Sequence, residues 1–435
     1  MKVLVVGSGG REHAIVEALA RSEYSPKIYA VMGNLNPGIK RRAQDYLLEK
    51  ETNVPAIVQY AMDQNVDFAI IGPETPLAAG LVDALEEEGI PCVGPKRDAA
   101  RIEFDKGWTR EFMARNNIKG LPKFRVFSNY EDACLYIKAN PNIVVKPAGL
   151  TGGKGVKVMG EHVKTAEEAC EYAKEVLRND RVVVEEKLEG EEVTIMAFVD
   201  GTHVSPMPTV QDHKRAFEND TGPNTGGMGS YTDMIDLLPF MTLEDYAGGV
   251  EIMEETVKAM KKDVGVPYKG ILYGQFMITR DGMKVVEFNA RFGDPEAMNV
   301  LSLLKTDFVD ISQAIIDGSL DKLKIEFEKS ATVCKYVVPA GYPDKPQKDS
   351  PLEVTESPDG KYIVYYASVN EREGKVYTTS SRSLAIVGIA DSIANAEIMS
   401  EMGLANVTGE FHCRHDIGKE QLIRKRIEHM DAIRG

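Results

Sequence analysis

Apolar positions in the first hundred residues fall into short solid runs, and the stretches between them carry a helical period. Residues 2–7 form such a run and lead into Gly7-Ser8-Gly9-Gly10, which reads as a buried strand and its turn. Residues 11–22 follow as a helix, 27–31 as a second strand, 54–64 as a helix, 67–71 as a third strand and 76–88 as a helix. Short apolar strands alternating with helices predict a parallel sheet covered on both faces. That α/β unit, Rossmann-like in plan, is expected over residues 1–103.

A helix is predicted over 104–117, around Trp108. Residues 121–190 read as a smaller α+β unit. Its strand 143–146 meets the glycine-rich turn Thr151-Gly152-Gly153-Lys154-Gly155, the strand 156–159 leaves it, and a helix (165–178) and a strand (181–185) follow. Further strands (192–199, 271–279, 284–289) and helices (242–262, 307–317) complete a central α+β region over 104–328. From 329 to 435, valine and tyrosine runs such as 361–366 lie between Asp-Gly and Gly-Lys turns, which predicts a separate β-rich domain. The run from Gln211 to Gly229, with its four late glycines, is predicted as neither helix nor strand but as a loop wrapping a small anion.

Composition narrows the class. A chain of 435 residues with 43% hydrophobic content has room for two to four packed domains. Its net charge of −15 excludes a general nucleic-acid binder, whose footprint is basic. No apolar run approaches the ~20 residues of a bilayer span, and the first residues lack a signal peptide's pattern. The five cysteines are scattered with no CxxC pair, so neither a zinc nor a disulfide framework is expected, and reduced thiols are. A soluble, cytoplasmic protein without nucleic-acid or membrane partners follows.

Four constellations carry chemistry. Lys146 and Lys154 flank the second glycine turn, and such a β-hairpin flap suits a triphosphate, although the P-loop pattern is absent. The acidic stretch Glu185-Glu186-Lys187-Leu188 to Glu192 ends a strand and could meet a purine base and ribose. In Val286-Glu287-Phe288-Asn289-Ala290-Arg291, Glu287 and Asn289 project on one strand face as hard oxygen donors suited to Mg²⁺. Gln275 could add an oxygen, and Arg291 a bidentate partner for developing phosphoryl charge. The first loop departs from GxGxxG, with Glu12 in the third glycine position, which disfavours a nicotinamide dinucleotide. Arg11 at a helix N-terminus still suits a phosphate monoester, and Glu74 stands at the same sheet edge.

These motifs, in this order, resemble the ATP-grasp ligases and, more narrowly, the glycinamide ribonucleotide synthetase family. The resemblance covers essentially the whole chain, including Phe411-His412-Cys413-Arg414-His415-Asp416-Ile417-Gly418 near the end. It departs at Lys146-Pro147-Ala148-Gly149, where the family's flap strand usually carries an aspartate.

The resemblance implies that ATP is bound by Lys106, Lys146, the flap Thr151, Gly152, Gly153, Lys154 and Gly155, the segment Glu185, Glu186, Lys187 and Leu188, and Glu192 and Lys214. It implies Mg²⁺ or Mn²⁺ on Glu287 and Asn289, with Gln275 close by. Glycine and 5-phosphoribosylamine fall to Gly9, Gly10, Arg11, Glu12, Glu74, Asp212, Asn224, Thr225, Gly226, Gly227, Arg291 and Asp294, with Arg291 and Lys214 catalytic. Ligation would pass through glycyl phosphate in a monomer or homodimer. A carboxylating ATP-grasp enzyme, an oxidoreductase and a nucleotide-binding regulator are the alternatives.

Overall fold

The computed structural model describes residues 1–150, 155–357 and 360–435. The flap residues Thr151, Gly152, Gly153 and Lys154 lie outside the described residues.

Val3 to Val6 are fully buried, as an apolar run in the middle of a doubly covered sheet must be. The strand Lys2–Val6 pairs in parallel with Lys27–Met32 on one side and Phe68–Ile71 on the other. The sheet is completed by Ala43–Leu48 and Cys92–Val93 at its edges. Both Ala43–Leu48 and the helix Pro37–Arg42 before it escape the sequence pattern, because the edge strand is half exposed and has no apolar run. The predicted helix over 76–88 is two helices, Glu74–Ala78 and Leu81–Glu87, broken at Gly80 with φ +83°. The helix around Trp108 likewise starts afresh: Arg97–Phe104 ends, and Lys106–Arg115 begins with the Asp105 carboxylate accepting from Trp108 N at 2.9 Å.

The small α+β unit has its own apolar core and a four-stranded sheet in the order Phe124–Phe127, Val182–Glu186, Ile143–Pro147, Lys157–Val158. Its helices Tyr130–Ala139 and Ala166–Val176 are joined by a disulfide between Cys134 and Cys170. This corrects the expectation of no disulfide framework, while most of the thiols remain free as expected: 36 residues separate the pair in sequence, but helix packing brings their Cα atoms to 5.0 Å. Cys92, Cys334 and Cys413 are free and buried. A second antiparallel sheet orders Val204–Pro206, Glu191–Asp200, Lys269–Thr279 and Gly282–Asn289.

The stretch expected to avoid regular structure forms short strands instead. Gln211–Asp212 pairs with Gly229–Thr232, which pairs with Ala331–Pro339 of the C-terminal region. Arg215–Phe217 and Thr221–Asn224 make a hairpin. Gly229 permits this at φ +153°, where a Cβ would stand 2.3 Å from the Cys334 carbonyl oxygen. The C-terminal region is rich in antiparallel strands and also carries two helices, Ile393–Leu404 and Glu420–Arg434.

Candidate active site

The sheet of the small α+β unit meets the sheet carrying Glu287 through Arg110 and Lys146, which donate to the Val286 carbonyl at 2.7 and 3.4 Å. The strand Ile143–Pro147 brings in Lys146, whose Nζ lies 2.7 Å from Glu185 on the neighbouring strand. Glu185 is also paired with Arg110 Nε at 2.7 Å. Burial works to raise the Glu185 carboxyl, but Arg110 and Lys146 outweigh it and hold it at about 2. Its carboxylate is therefore fully engaged inside the protein. Glu186 accepts from Lys123 N at 2.8 Å, Lys187 Nζ lies 3.2 Å from Glu161, and Leu188 follows, half-buried. Of the flap only Gly155 is described, its carbonyl accepting from Tyr172 Oη at 2.7 Å.

Lys106 opens the helix Lys106–Arg115 and donates to the Gly149 carbonyl at 3.0 Å, and burial lowers its ammonium pKa. Lys214 stands between the strand Gln211–Asp212 and the hairpin, 3.3 Å from Glu192. Burial opposes its charge, but Glu192, Glu287 and Asp212 outweigh burial and raise its pKa. Side-chain exposures of 32% and 39% leave Lys214 and Glu192 within reach of a ligand. Glu287 is the hub. Burial would push its carboxyl up, yet Lys214, Lys106, Lys146 and Arg291 together hold it below the ordinary range. Three of these cations are also paired elsewhere, Lys146 with Glu185, Lys214 with Glu192 and Arg291 with Glu103 and Glu74, so the cluster is a network of alternating charge whose cations can turn to an anionic ligand.

Asn289 lies two residues on, in the same strand, and its Oδ1 accepts from Arg291 Nη2 at 3.3 Å. Gln275 sits across the ladder from Glu287, but its amide is engaged: Oε1 accepts from Tyr273 Oη at 2.8 Å and Nε2 donates to Glu192 at 2.5 Å. Arg291 lies between two carboxylates, Nη2 2.8 Å from Glu103 and Nε 3.5 Å from Glu74. Burial raises the Glu103 carboxyl to about 7 against the pull of Arg291. Arg291 and Arg11 overcome burial at Glu74 and lower it.

The first loop is more enclosed than its sequence implies. Gly9 N donates to Glu12 at 2.7 Å, and Arg11 contacts Glu12 and the Phe292 carbonyl. Glu12 lies over Gly7 and Gly72, where any Cβ would come within 2.4 and 2.2 Å of its side chain. Gly10 lets Tyr336 of the C-terminal region approach, and Gly9 faces Asp294.

The glycine-rich loop is built on Thr225, whose N and Oγ1 both donate to the Lys214 carbonyl at 2.7 and 2.8 Å, with Asn224 pairing opposite Arg215. Gly226 and Gly227 follow, their carbonyls accepting from Arg382 Nη1 at 2.8 and 3.0 Å. Arg382 also pairs with Asp294 at 3.2 Å, and Tyr336 Oη donates to Asp294 at 2.5 Å. Arg382, Tyr336, Glu103 and Arg110 lie in no short motif, so sequence reasoning misses them; Glu296 ends the stretch that begins at Val286 but takes no role from it, and its Oε1 accepts from Thr194 Oγ1 at 3.2 Å and Tyr273 Oη at 2.8 Å. A surface groove of about 800 Å³ beside His203, Lys258 and Lys261 is lined by none of the candidate site residues.

Paired α+β sheets closing on a lysine-lined cleft with an oxygen-donor strand end define an ATP-grasp enzyme. Models described as Phosphoribosylglycinamide synthetase match the chain in three segments: the N domain at residues 1–103, the ATP-grasp (A) domain at 104–297 and the C domain at 332–420. The chain is 83% identical over 435 residues, all of both chains, to a phosphoribosylamine–glycine ligase of Methanocella arvoryzae. It is 55% identical over 434 residues, again with full coverage of both, to one from Methanococcoides burtonii. A crystal structure of phosphoribosylamine–glycine ligase from Thermotoga maritima superposes with a TM-score of 0.81 at 28% identity, over 96% of this chain and 100% of that one. The biotin carboxylase domain of a Hydrogenobacter thermophilus 2-oxoglutarate carboxylase, crystallised with magnesium ADP, shares the fold at a TM-score of 0.71 and 16% identity, over 99% of this chain and 93% of that one. The chain belongs to the phosphoribosylglycinamide synthetase family.

Proposed function

We propose that this protein joins glycine to 5-phosphoribosylamine with ATP, by way of glycyl phosphate, to give glycinamide ribonucleotide, ADP and phosphate. The convergence of Lys106, Lys146 and Lys214 on Glu287, with Thr225 of the glycine-rich loop bound to the Lys214 carbonyl, carries this reading. Such a ligation calls for charge neutralisation, in-line positioning and exclusion of water from a labile acyl phosphate, and no side-chain nucleophile.

Lys106, Lys146 and Lys214 hold the nucleotide phosphates. The segment from Glu185 to Leu188 borders the base. Glu192 meets the ribose and is oriented by Gln275. Glu287 and Asn289 are hard oxygen donors that fit Mg²⁺ or Mn²⁺. Among the described residues no three His, Cys, Asp or Glu side chains gather as a metal site; two protein donors plus substrate phosphates are the usual arrangement for Mg²⁺. Glu287 and Asn289 would hold the ion, which would supply neutralisation of phosphate charge.

Gly9 to Glu12 and Glu74 border the phosphoribosyl group. Asp212, Asn224 to Gly227, Arg291 and Asp294 line the space between that group and the nucleotide. Among the described residues no helix is long and apolar enough to cross a membrane, in keeping with a cytoplasmic enzyme of small molecules, as monomer or homodimer.

Glycine-dependent ADP formation in the presence of 5-phosphoribosylamine tests the reading. Glu287→Gln is expected to raise the metal concentration needed for half-maximal rate and to lower kcat about 100-fold. ADP formation that ignores glycine overturns the assignment.

A further inference from the structure

We propose, resting on the ligase reading above, that Asp212 is the catalytic base of the second half-reaction. It would accept the proton that leaves the phosphoribosylamine nitrogen as the amide forms.

Among the described residues, Asp212 Oδ1 is the one buried carboxylate oxygen without a hydrogen-bond donor. Leaving such a group bare costs about 1–3 kcal/mol or more, so its retention points to a partner supplied by a ligand. The strand Gln211–Asp212 turns Gln211 inward, where it accepts from Tyr231 Oη at 2.6 Å. The alternation of a strand then sends Asp212 to the opposite face.

There Asp212 meets the glycine-rich loop: a Cβ on Gly227 would stand 2.6 Å from Oδ1 and 2.7 Å from Pro295. On one side is Lys214, from the cation cluster around Glu287. On the other is Arg382, which binds the Gly226, Gly227 and Asp294 carbonyls and so leads to the wall that Gly9 faces. On the ligase reading, the acyl phosphate forms at the lysine cluster and the acceptor is held by the first domain, and Asp212 has a neighbour from each side.

The charged groups facing Asp212 are Glu296, Lys214, Arg382 and Glu192. Burial first, then Glu296, push its carboxyl well above the usual range, against Lys214 and Arg382. A carboxylate whose pKa is raised binds a proton more strongly than an ordinary one.

The step balances. The amine nitrogen forms a bond to the acyl carbon, the bond from that carbon to the phosphate oxygen breaks, phosphate leaves with the electron pair, and the proton passes from nitrogen to the Asp212 carboxylate. An alternative role, pairing with the glycine ammonium, would act in the first half-reaction.

Hydroxylamine separates the two roles, because it attacks acyl phosphates without assistance from a base. With ATP, glycine and hydroxylamine, Asp212→Asn is expected to form glycine hydroxamate within a few-fold of the wild-type rate. With 5-phosphoribosylamine made in situ from ribose 5-phosphate and ammonia, its rate of glycinamide ribonucleotide formation is expected to fall about 100-fold. Equal loss of both products overturns the base assignment in favour of glycine binding, and loss of neither overturns it outright. Wild-type protein that makes no hydroxamate overturns the ligase reading itself. Asp212→Ser, expected to show the same split, serves if Asp212→Asn fails to fold.

Discussion

At the scale of single residues, Gly227 shows how function and backbone restrict one position together. Its φ of +113° is one that side chains rarely adopt, and a Cβ there would be driven against Asp212 Oδ1 and Pro295 Cδ. Gly227→Ala is expected to lose about 2 kcal/mol of stability from backbone strain alone. It should also lower kcat more than it raises the KM for ATP, because the loop moves while the lysine cluster stays. Urea unfolding and steady-state kinetics check both, and a KM effect confined to ATP would show that the loop belongs to the nucleotide. Legibility at this scale followed distance along the chain. Glu287 and Asn289 are two apart in one strand, so a period of two placed them together. Arg382 reaches Gly226 from 156 positions away and Tyr336 reaches Asp294 from 42. No local pattern encodes such pairs. Gly9 and Gly10 stood out as glycines, but the structure shows them admitting Asp294 and Tyr336 from the rest of the chain.

At the scale of elements, buried runs read well and polar edges did not. The central strands of the first sheet appear where solid apolar runs predict them, and the half-exposed strand Ala43–Leu48 was passed over. The C-terminal helix carries Leu422, Ile423, Ile427 and Met430 at helical spacing, which the surrounding β pattern obscured. The buried triad of Arg110, Glu185 and Lys146 joins elements in a way open to a pH test. Arg110 Nη2 also donates to the Val285 and Val286 carbonyls, so it ties the strand Val182–Glu186 to the strand that carries Glu287. The Glu185 carboxyl is depressed from 4.5 to about 2, so its contribution is present above pH 4.5 and fades as pH falls through that window. The depression corresponds to about 3 kcal/mol. Glu185→Gln is expected to destabilise the protein by about that amount at pH 6, and the gap from wild type should narrow steadily from pH 4.5 to 3. A gap constant with pH would mean that packing, not charge, holds the triad.

At the scale of the whole molecule, the last helix closes the structure on itself. Glu420–Arg434 lies almost wholly beyond the segment matched by the C-domain model, yet it packs on the strand Glu191–Asp200 of the ATP-grasp region. Arg426 pairs with Glu191 at 3.3 Å and with Asp220, His429 meets Glu191 at 2.6 Å, and Arg434 reaches Asp245 at 2.6 Å. Asp220 lies between the hairpin strands and is also held by Arg414, which is fully buried. Arg426 therefore joins the residue before Glu192 to the hairpin that follows Lys214, and through them the pair at the cleft. Arg426→Ala leaves the largely buried Glu191 with His429 opposite it and Asp220 with Arg414, and the weakened compensation of Glu191 is expected to cost about 3 kcal/mol. Most of that loss is the penalty of an uncompensated buried charge, not the value of the pair. Adding Glu191→Gln to Arg426→Ala should then recover part of the stability, even though it deletes a second native charge. Thermal unfolding of the two single variants and the double variant decides it. Additive losses would mean that the helix is held by its apolar face, through Leu422 and Met430, and that the ion pairs only decorate the contact.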